Sequence, residues 1–178
     1  GESVMAYAQW GRSFVDEEFD LADRLPVPVG DYLANWLSID FSTSPSRPLA
    51  ASAGGSWQDA YGGRLPSHRG RLQAALGSHL KGSVGYERST ADIPSGSFVA
   101  NVVSLRVGYA FSTRVVAGAY VQWNSLDENI VANLGFVYRH RPGSDFIVAL
   151  NEERGVEGSL WTVAERHLAL KVNYLARF

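Results

Sequence analysis

The chain has 178 residues, a formal net charge of −2 at pH 7 and no cysteine. The charge leaves no basic surface for nucleic acid, and the lack of cysteine excludes disulfides and thiolate metal sites. Hydrophobic residues make up 46% of the chain. They form no run of about 18 apolar residues, which excludes a transmembrane helix.

The length suits a single domain that covers residues 1–178. The first residue is Gly1 rather than Met, and no export signal precedes the first strand-like segment. A mature protein or a fragment of a longer protein would begin in this way. Because residues 1–10 already alternate, we favour the fragment and expect the chain to be the C-terminal portion of a longer protein.

Ten segments alternate apolar and polar residues with a period of two, which predicts strands with one apolar and one polar face. In chain order they cover residues 1–10, 31–42, 49–58, 71–76, 80–87, 99–111, 114–124, 129–139, 146–153 and 167–178. No helical periodicity of comparable length separates them. The pattern predicts an all-β fold of antiparallel strands.

The connections between these segments alternate in length. Short turns are predicted at residues 44–47, 77–79, 112–113 and 142–144, and mostly longer loops at residues 11–29, 62–69, 89–97, 126–128 and 155–166. Membrane barrels have short periplasmic turns and longer outer loops. The acidic stretch 15–24 is predicted to be a solvated loop, with one or two helical turns as the alternative.

The chain ends on an aromatic residue after an alternating strand. Leu168, Leu170, Val172 and Tyr174 share its apolar face, which continues to Phe178. Only 19% of the residues are charged, which is low for the outer surface of a soluble barrel. We therefore predict a transmembrane antiparallel up-and-down β-barrel with about ten visible strands, which can be part of a larger barrel, in a bacterial outer membrane. Tyr174 and Phe178 are the predicted membrane-insertion signal.

The polar sides of the segments are predicted to line the lumen. The residues that we assign to this lining are Arg71, Lys81, Glu87, Arg106, Arg114, Gln122, Asn133, Arg139, Lys171 and Asn173. They either pair across the lumen and hold the interior together or line a mildly cationic conduit. In the second case, glycines at inward positions keep a narrow passage open. These glycines are Gly54, Gly85, Gly108, Gly118 and Gly135.

Catalytic chemistry has weak support in the sequence. Ser67 stands beside His68, and a loop carrying Asp127 and Glu128 could face His167, but ordinary loop polarity explains both. The acidic loop residues form either a solvated rim or a divalent-cation site, and they are Asp127, Glu128, Glu152, Glu153, Glu157 and Glu165. We expect no enzyme activity, no cofactor and no metal.

The stretch from Tyr120 to Phe146, with its Arg-Pro-Gly-Ser-Asp turn and the following Asn151-Glu152, resembles a family of large bacterial surface proteins. In that family a carbohydrate-binding module similar to family 9 precedes a C-terminal outer-membrane barrel of unknown function. Further similarities are the segments 29–32, 85–88 and 105–112. No residue of this chain corresponds to the binding module, so the resemblance implies the barrel alone.

The predicted function is that of a membrane anchor or translocation barrel for attached or partner domains. The alternative is a narrow pore for small polar solutes such as sugars, and a rim-active hydrolase carries the least weight. The expected partners are outer-membrane lipid, the barrel-assembly machinery during insertion, and other surface or periplasmic proteins.

Overall fold

The computed structural model describes residues 1–155 and 163–175. These residues fold as β-structure, and none of them forms a helix long and apolar enough to cross a membrane. The strands among them, in chain order, are β1 Ser3–Gln9, β2 Arg12–Val15, β3 Phe19–Leu21, β4 Leu25–Val27, β5 Gly30–Leu33, β6 Trp36–Ser42, β7 Leu49–Ala60, β8 Gly63–Arg64, β9 Ser67–Leu76, β10 Leu80–Ile93, β11 Gly96–Ala110, β12 Val115–Asn124, β13 Asn129–Arg141, β14 Ser144–Gly155 and β15 Val163–Asn173.

Eleven of these strands form one antiparallel sheet in the order β1-β6-β7-β8-β10-β11-β12-β13-β14-β15, with β9 paired to both β7 and β10. The order along the sheet follows the chain, except that β2 to β5 belong to two smaller sheets and β9 lies off this path. Each of the ten predicted segments overlaps a strand of this sheet, although residues 31–33 belong to β5 in a smaller sheet. The prediction of an all-β fold of antiparallel strands is confirmed. The strands β1 and β15 lie at the two ends of the order.

The chain divides into two compact units. Unit 1 comprises Gly1–Ser44, Ala51–Arg71 and Tyr86–Asn101; unit 2 comprises Pro45–Ala50, Leu72–Gly85 and Val102–Phe178. Because the boundary between the units cuts across long strands, each unit contains parts of the large sheet.

Unit 1 contains a small cap that the sequence did not reveal. The segment between β1 and β6 forms two two-stranded sheets, β2 with β5 and β3 with β4, instead of the predicted acidic loop or helical turns. Val15 and Val27 from this segment pack with Ile93, and Val27 is only 1% exposed. These three residues form the hydrophobic cluster of buried residues in the described part of the chain.

The prediction of a long loop at residues 89–97 is also wrong. Strand β10 continues to Ile93 and β11 begins at Gly96, which leaves a turn of two residues. Ala91 and Ile93 are both buried, and Ile93 packs with the cap, so the strand alternation continues beyond the polar residues that looked like a loop. The loop predicted at residues 62–69 is likewise shorter, since β8 and the start of β9 lie within it.

Candidate functional site: the two faces of the sheet

In unit 2 the strand register sets apolar residues side by side on one face of the sheet. Directly paired residues of neighbouring strands lie on the same face. One such row consists of Val107, Ala119, Leu134, Leu150 and Leu168, and the next consists of Tyr109, Ala117, Phe136, Val148 and Leu170. Leu134 is 48% exposed and Leu168 is 65% exposed, so this surface, here called the apolar face, is open rather than packed into a core.

The apolar face ends at a charged group on β14 and β15. The row of Leu105, Val121 and Ala132 continues into Glu152 and Arg166. Glu152 accepts hydrogen bonds from Arg154 and from Arg166, the latter with an Nε–Oε2 distance of 2.6 Å. On β11, β12 and β13 the same face stays apolar for one further row, formed by Val103, Trp123 and Ile130.

The edge of the apolar face is therefore stepped. On β11, β12 and β13 the last apolar residues are Val103, Trp123 and Ile130, which share one row, whereas on β14 and β15 charged residues follow directly after Leu150 and Leu168, two rows away. Val163 on β15 lies beyond these charged residues, in register with Arg154.

Aromatic residues mark the opposite edge of the apolar face. Tyr109 packs edge-on against Phe111, with ring centroids 4.7 Å apart. Tyr138 and Phe146 are direct cross-strand partners. Beyond the end of β15, the ring of Tyr174 lies 4.8 Å from the guanidinium carbon of Arg141. Rings of this kind form the interfacial girdles of membrane proteins.

The opposite face of unit 2, here called the polar face, carries most of the predicted lumen residues. Arg106 lies over the ring of Tyr120 at 5.0 Å, and the Tyr120 hydroxyl donates to Gln122. Arg139 forms an ion pair of 3.4 Å with Asp145, and Asn173 is the cross-strand partner of Asp145.

The remaining predicted lumen residues of unit 2 lie on the same strands or at their ends. Asn133 pairs in register with Tyr120 and Asn151, and Lys171 pairs with Ile147. Lys81 alternates with the apolar residues of β10. Arg114 lies in the turn before β12, where its carbonyl accepts from the Arg139 amide at 2.7 Å.

A row of the smallest residues crosses the polar face of unit 2. It consists of Gly108, Gly118, Gly135, Ala149 and Ala169. A Cβ atom placed at Gly108 or Gly135 meets no heavy atom within 4 Å. These positions leave open space beside the charged residues.

In unit 1 an ion pair spans an intervening strand. Arg69 on β9 donates to Asp40 on β6 at 2.5 Å, across Gly54 on β7. A Cβ at Gly54 would lie 2.1 Å from the Asp40 carboxylate, so only glycine leaves room for the pair. Arg71 is the next residue of β9 on the same face as Arg69, and Glu87 lies on β10 in unit 1.

Sequence reasoning missed the partners of these cations, namely Asp40, Tyr120 and Asp145. Asp40 did alternate with the apolar residues of its strand, and this was the available signal. The lumenal position of the ten predicted residues stays a prediction.

The histidines considered for catalysis have other contacts. The Ser67 hydroxyl is hydrogen-bonded to the Ser56 hydroxyl at 2.8 Å, and the ring of His68 packs against Trp57 at 5.9 Å. His167 contacts Glu165 at 2.6 Å.

Two of the acidic loop residues also accept hydrogen bonds. Glu153 accepts from Asn129 at 2.8 Å, and Asp127 accepts from Asn124. In the part of the chain that the structure describes, no three His, Asp or Glu side chains come together as a metal site. Glu157 and Phe178 lie outside the described residues.

Comparison of the chain with protein-family models, with curated protein sequences and with solved structures gave no match in any of the three.

Proposed function

We propose that this chain is a transmembrane β-barrel of a bacterial outer membrane, which anchors attached or partner domains at the surface or lets them cross. The observation that carries the proposal is the apolar face of unit 2. It is exposed, charged residues bound one of its edges on β14 and β15, and aromatic rings mark its other edge.

Exposure of this kind is costly in water. Soluble monomeric proteins seldom expose contiguous apolar patches of more than a few hundred Å². On β15 alone, Leu168, Leu170 and Val172 are 64–71% exposed. Because each buried Å² of apolar surface contributes about 25 cal/mol, lipid contact stabilises such a sheet.

A membrane position also requires closure of the sheet. In hydrocarbon every backbone N–H and C=O must be paired, so the free edges of β1 and β15 need partners. Both strands alternate like the rest of the sheet, with Ala6 among the apolar residues of β1 and Leu170 among those of β15. We propose that the two edges pair with each other, either directly or through further strands of a longer protein.

Closure can be tested by cross-linking, since the chain has no cysteine of its own. Ala6→Cys is combined in turn with Leu168→Cys, Leu170→Cys and Val172→Cys, and with Ala132→Cys as a control in the interior of the sheet. Direct pairing predicts efficient intramolecular disulfide formation for one of the first three pairs in membranes. Reaction no faster than that of the control would exclude direct closure.

The membrane position can be tested with two adjacent residues of β13. Leu134→Cys and Asn133→Cys are labelled with a polarity-sensitive fluorophore in phospholipid vesicles that contain lipids with quenchers at known depth. We expect strong quenching at position 134 by deep quenchers and little at position 133. Equal quenching at both positions would contradict the assignment of the faces.

The second candidate function is a narrow pore for small polar solutes. The open space at Gly108 and Gly135 favours it, whereas the contacts of Arg106 with Tyr120 and of Arg139 with Asp145 favour a filled interior. An anchor stays silent in planar bilayers. A pore gives discrete current steps whose size changes on Arg106→Ala.

We propose no hydrolytic role for the rim, because Ser67 is bonded to Ser56 and His68 packs against Trp57. Hydrolysis of lipids or peptides that is lost on His68→Ala or His167→Ala would contradict this.

A further inference from the structure

The cap of unit 1 contains a cavity that the membrane proposal does not use. Its volume is about 390 Å³, within the usual range for small-molecule sites. The charged side chains that line it are Arg12, Asp31, Asp59 and Arg64, and Tyr32 and Leu33 add an apolar wall.

The strands of the cap fix these side chains in place. Strand β2 pairs with β5, and β7 returns into β8 through a two-residue turn. Tyr61 and Gly62 in that turn both have positive φ, of 55° and 77°, which is the conformation of a type I′ hairpin. This turn sets Arg64 directly opposite Asp59.

Two of the four charged side chains that line the cavity, Arg12 and Asp31, neutralise each other. The Arg12 Nε donates to both oxygens of Asp31 at 3.0 Å. The hydrogen bond and the charge of Asp31 raise the pKa of Arg12 above its usual value. The terminal nitrogens of Arg12 are not used in this pair. The Tyr32 hydroxyl also has a partner, since it donates to the Pro28 carbonyl at 2.8 Å.

The other two charged groups are complementary but do not pair. Asp59 Oδ2 accepts from the Asn35 amide at 3.2 Å, and its second oxygen has no hydrogen bond among the described residues. Arg64 lies in register between Asp59 and Asp92, and within the described ranges its side chain forms an ion pair with neither. Opposite charges at directly paired positions normally attract each other. Asp59 and Arg64 instead each keep unused hydrogen-bonding groups beside the same cavity.

We propose that this cavity binds a small zwitterion of about dipeptide size. The ligand carboxylate contacts the guanidinium of Arg64 and the terminal nitrogens of Arg12, and its ammonium contacts the free oxygen of Asp59. A short side chain packs against Tyr32 and Leu33. The four charged lining groups sum to zero, so they favour a ligand with both charges over an ion of one sign. This site is independent of whether the sheet lies in a membrane.

Isothermal titration of the full chain with L-alanyl-L-alanine tests the proposal. We expect saturable one-to-one binding. The N-acetylated and the C-amidated dipeptides should each bind about tenfold or more weakly, since each loses a charge-assisted hydrogen bond. These comparisons use the unaltered chain and therefore do not depend on the folding of any variant.

Two variants test which side chain binds the carboxylate of the ligand and which binds its ammonium. Arg64→Gln should weaken the dipeptide about tenfold or more and remove the difference between the free and the amidated carboxylate. Asp59→Asn should do the same for the ammonium and the acetylated form. Asp92→Asn is the matched control, because Asp92 also flanks Arg64 but does not line the cavity, and it should leave the affinity unchanged.

Three results would overturn the proposal. They are the absence of saturable binding, equal affinity for the free and the blocked dipeptides, and tighter binding of succinate or maltose than of the dipeptide.

Discussion

Arginine substitutions along β13 test the proposal that the apolar face lies in hydrocarbon and measure its depth. This face of β13 runs from Ile130 to Tyr138, and Leu134 lies at its midpoint. Four residues on either side correspond to about 14 Å along the strand. At a tilt of roughly 35–45°, this is about 10 Å of depth from each edge.

The expected costs follow from that depth. Arginine on the lipid face of a barrel costs about 2–4 kcal/mol at the midplane and about 0–1 kcal/mol near the interfaces. We therefore expect Leu134→Arg to lower the free energy of unfolding by about 2–4 kcal/mol, and Ile130→Arg and Tyr138→Arg by about 1 kcal/mol or less from this effect. Asn133→Arg, on the polar face, is the neighbouring control and should cost less than Leu134→Arg.

The assay is reversible denaturant unfolding of the chain folded in phospholipid vesicles, followed by tryptophan fluorescence. A cost at position 134 within about 0.5 kcal/mol of zero would indicate a water-exposed face. A cost above about 4 kcal/mol, with no dependence on position along β13, would indicate a protein core. Either result would refute the membrane assignment.

Three further changes test other parts of the structure. Gly54→Ala should lower the free energy of unfolding by about 1 kcal/mol, because its Cβ displaces Asp40 from its half-exposed ion pair, whereas Gly108→Ala should have a clearly smaller effect; equal effects would contradict this account. Deletion of Phe178 should reduce membrane levels in cells more than refolding in detergent, and normal membrane levels would exclude a role in insertion. Val27→Ala should destabilise the cap by about 1–2 kcal/mol, seen as faster proteolysis of residues 16–24, and unchanged cleavage would show that the buried cluster does not hold the cap.

The long strands and their faces were predictable because alternation is a local property. Leu105 and Val121 each alternate with polar residues in their separate segments, and the register pairs them directly. Arg106, predicted to line the lumen, lies on the other side, where the register pairs it with Tyr120. The alternation of any single segment is weak evidence, but ten such segments in series distinguish the period of two from chance.

The cap was not predictable from such patterns. Its strands β2 to β5 have only three or four residues each, too few to show a period. Their stability depends on long-range burial, in which Val15 and Val27 meet Ile93 from the tip of the β10–β11 hairpin. The acidic residues between Val15 and Phe19 looked like a solvated loop because their sequence contains no trace of this contact.

The candidate sites required the register as well as the pattern. The pair of Asp40 and Arg69 spans three strands and depends on a glycine between them. The cavity of the cap depends on a turn that sets Arg64 opposite Asp59. Neither arrangement follows from the spacing of these residues along the chain.

A second protein sheet packed on the apolar face is the main physical alternative to lipid, and the charged edge argues against it. A flat partner sheet that covered Leu150 and Leu168 would also approach Glu152 and Arg166 in the adjoining row. Withdrawing these charges from water costs several kcal/mol per ion unless the partner supplies matching groups. A bilayer avoids this cost, since a tilted strand carries the charged row into the headgroup layer while its apolar rows stay in hydrocarbon. The charged edge therefore fits the proposed position in a membrane, whereas a protein partner would need matching charged groups of its own.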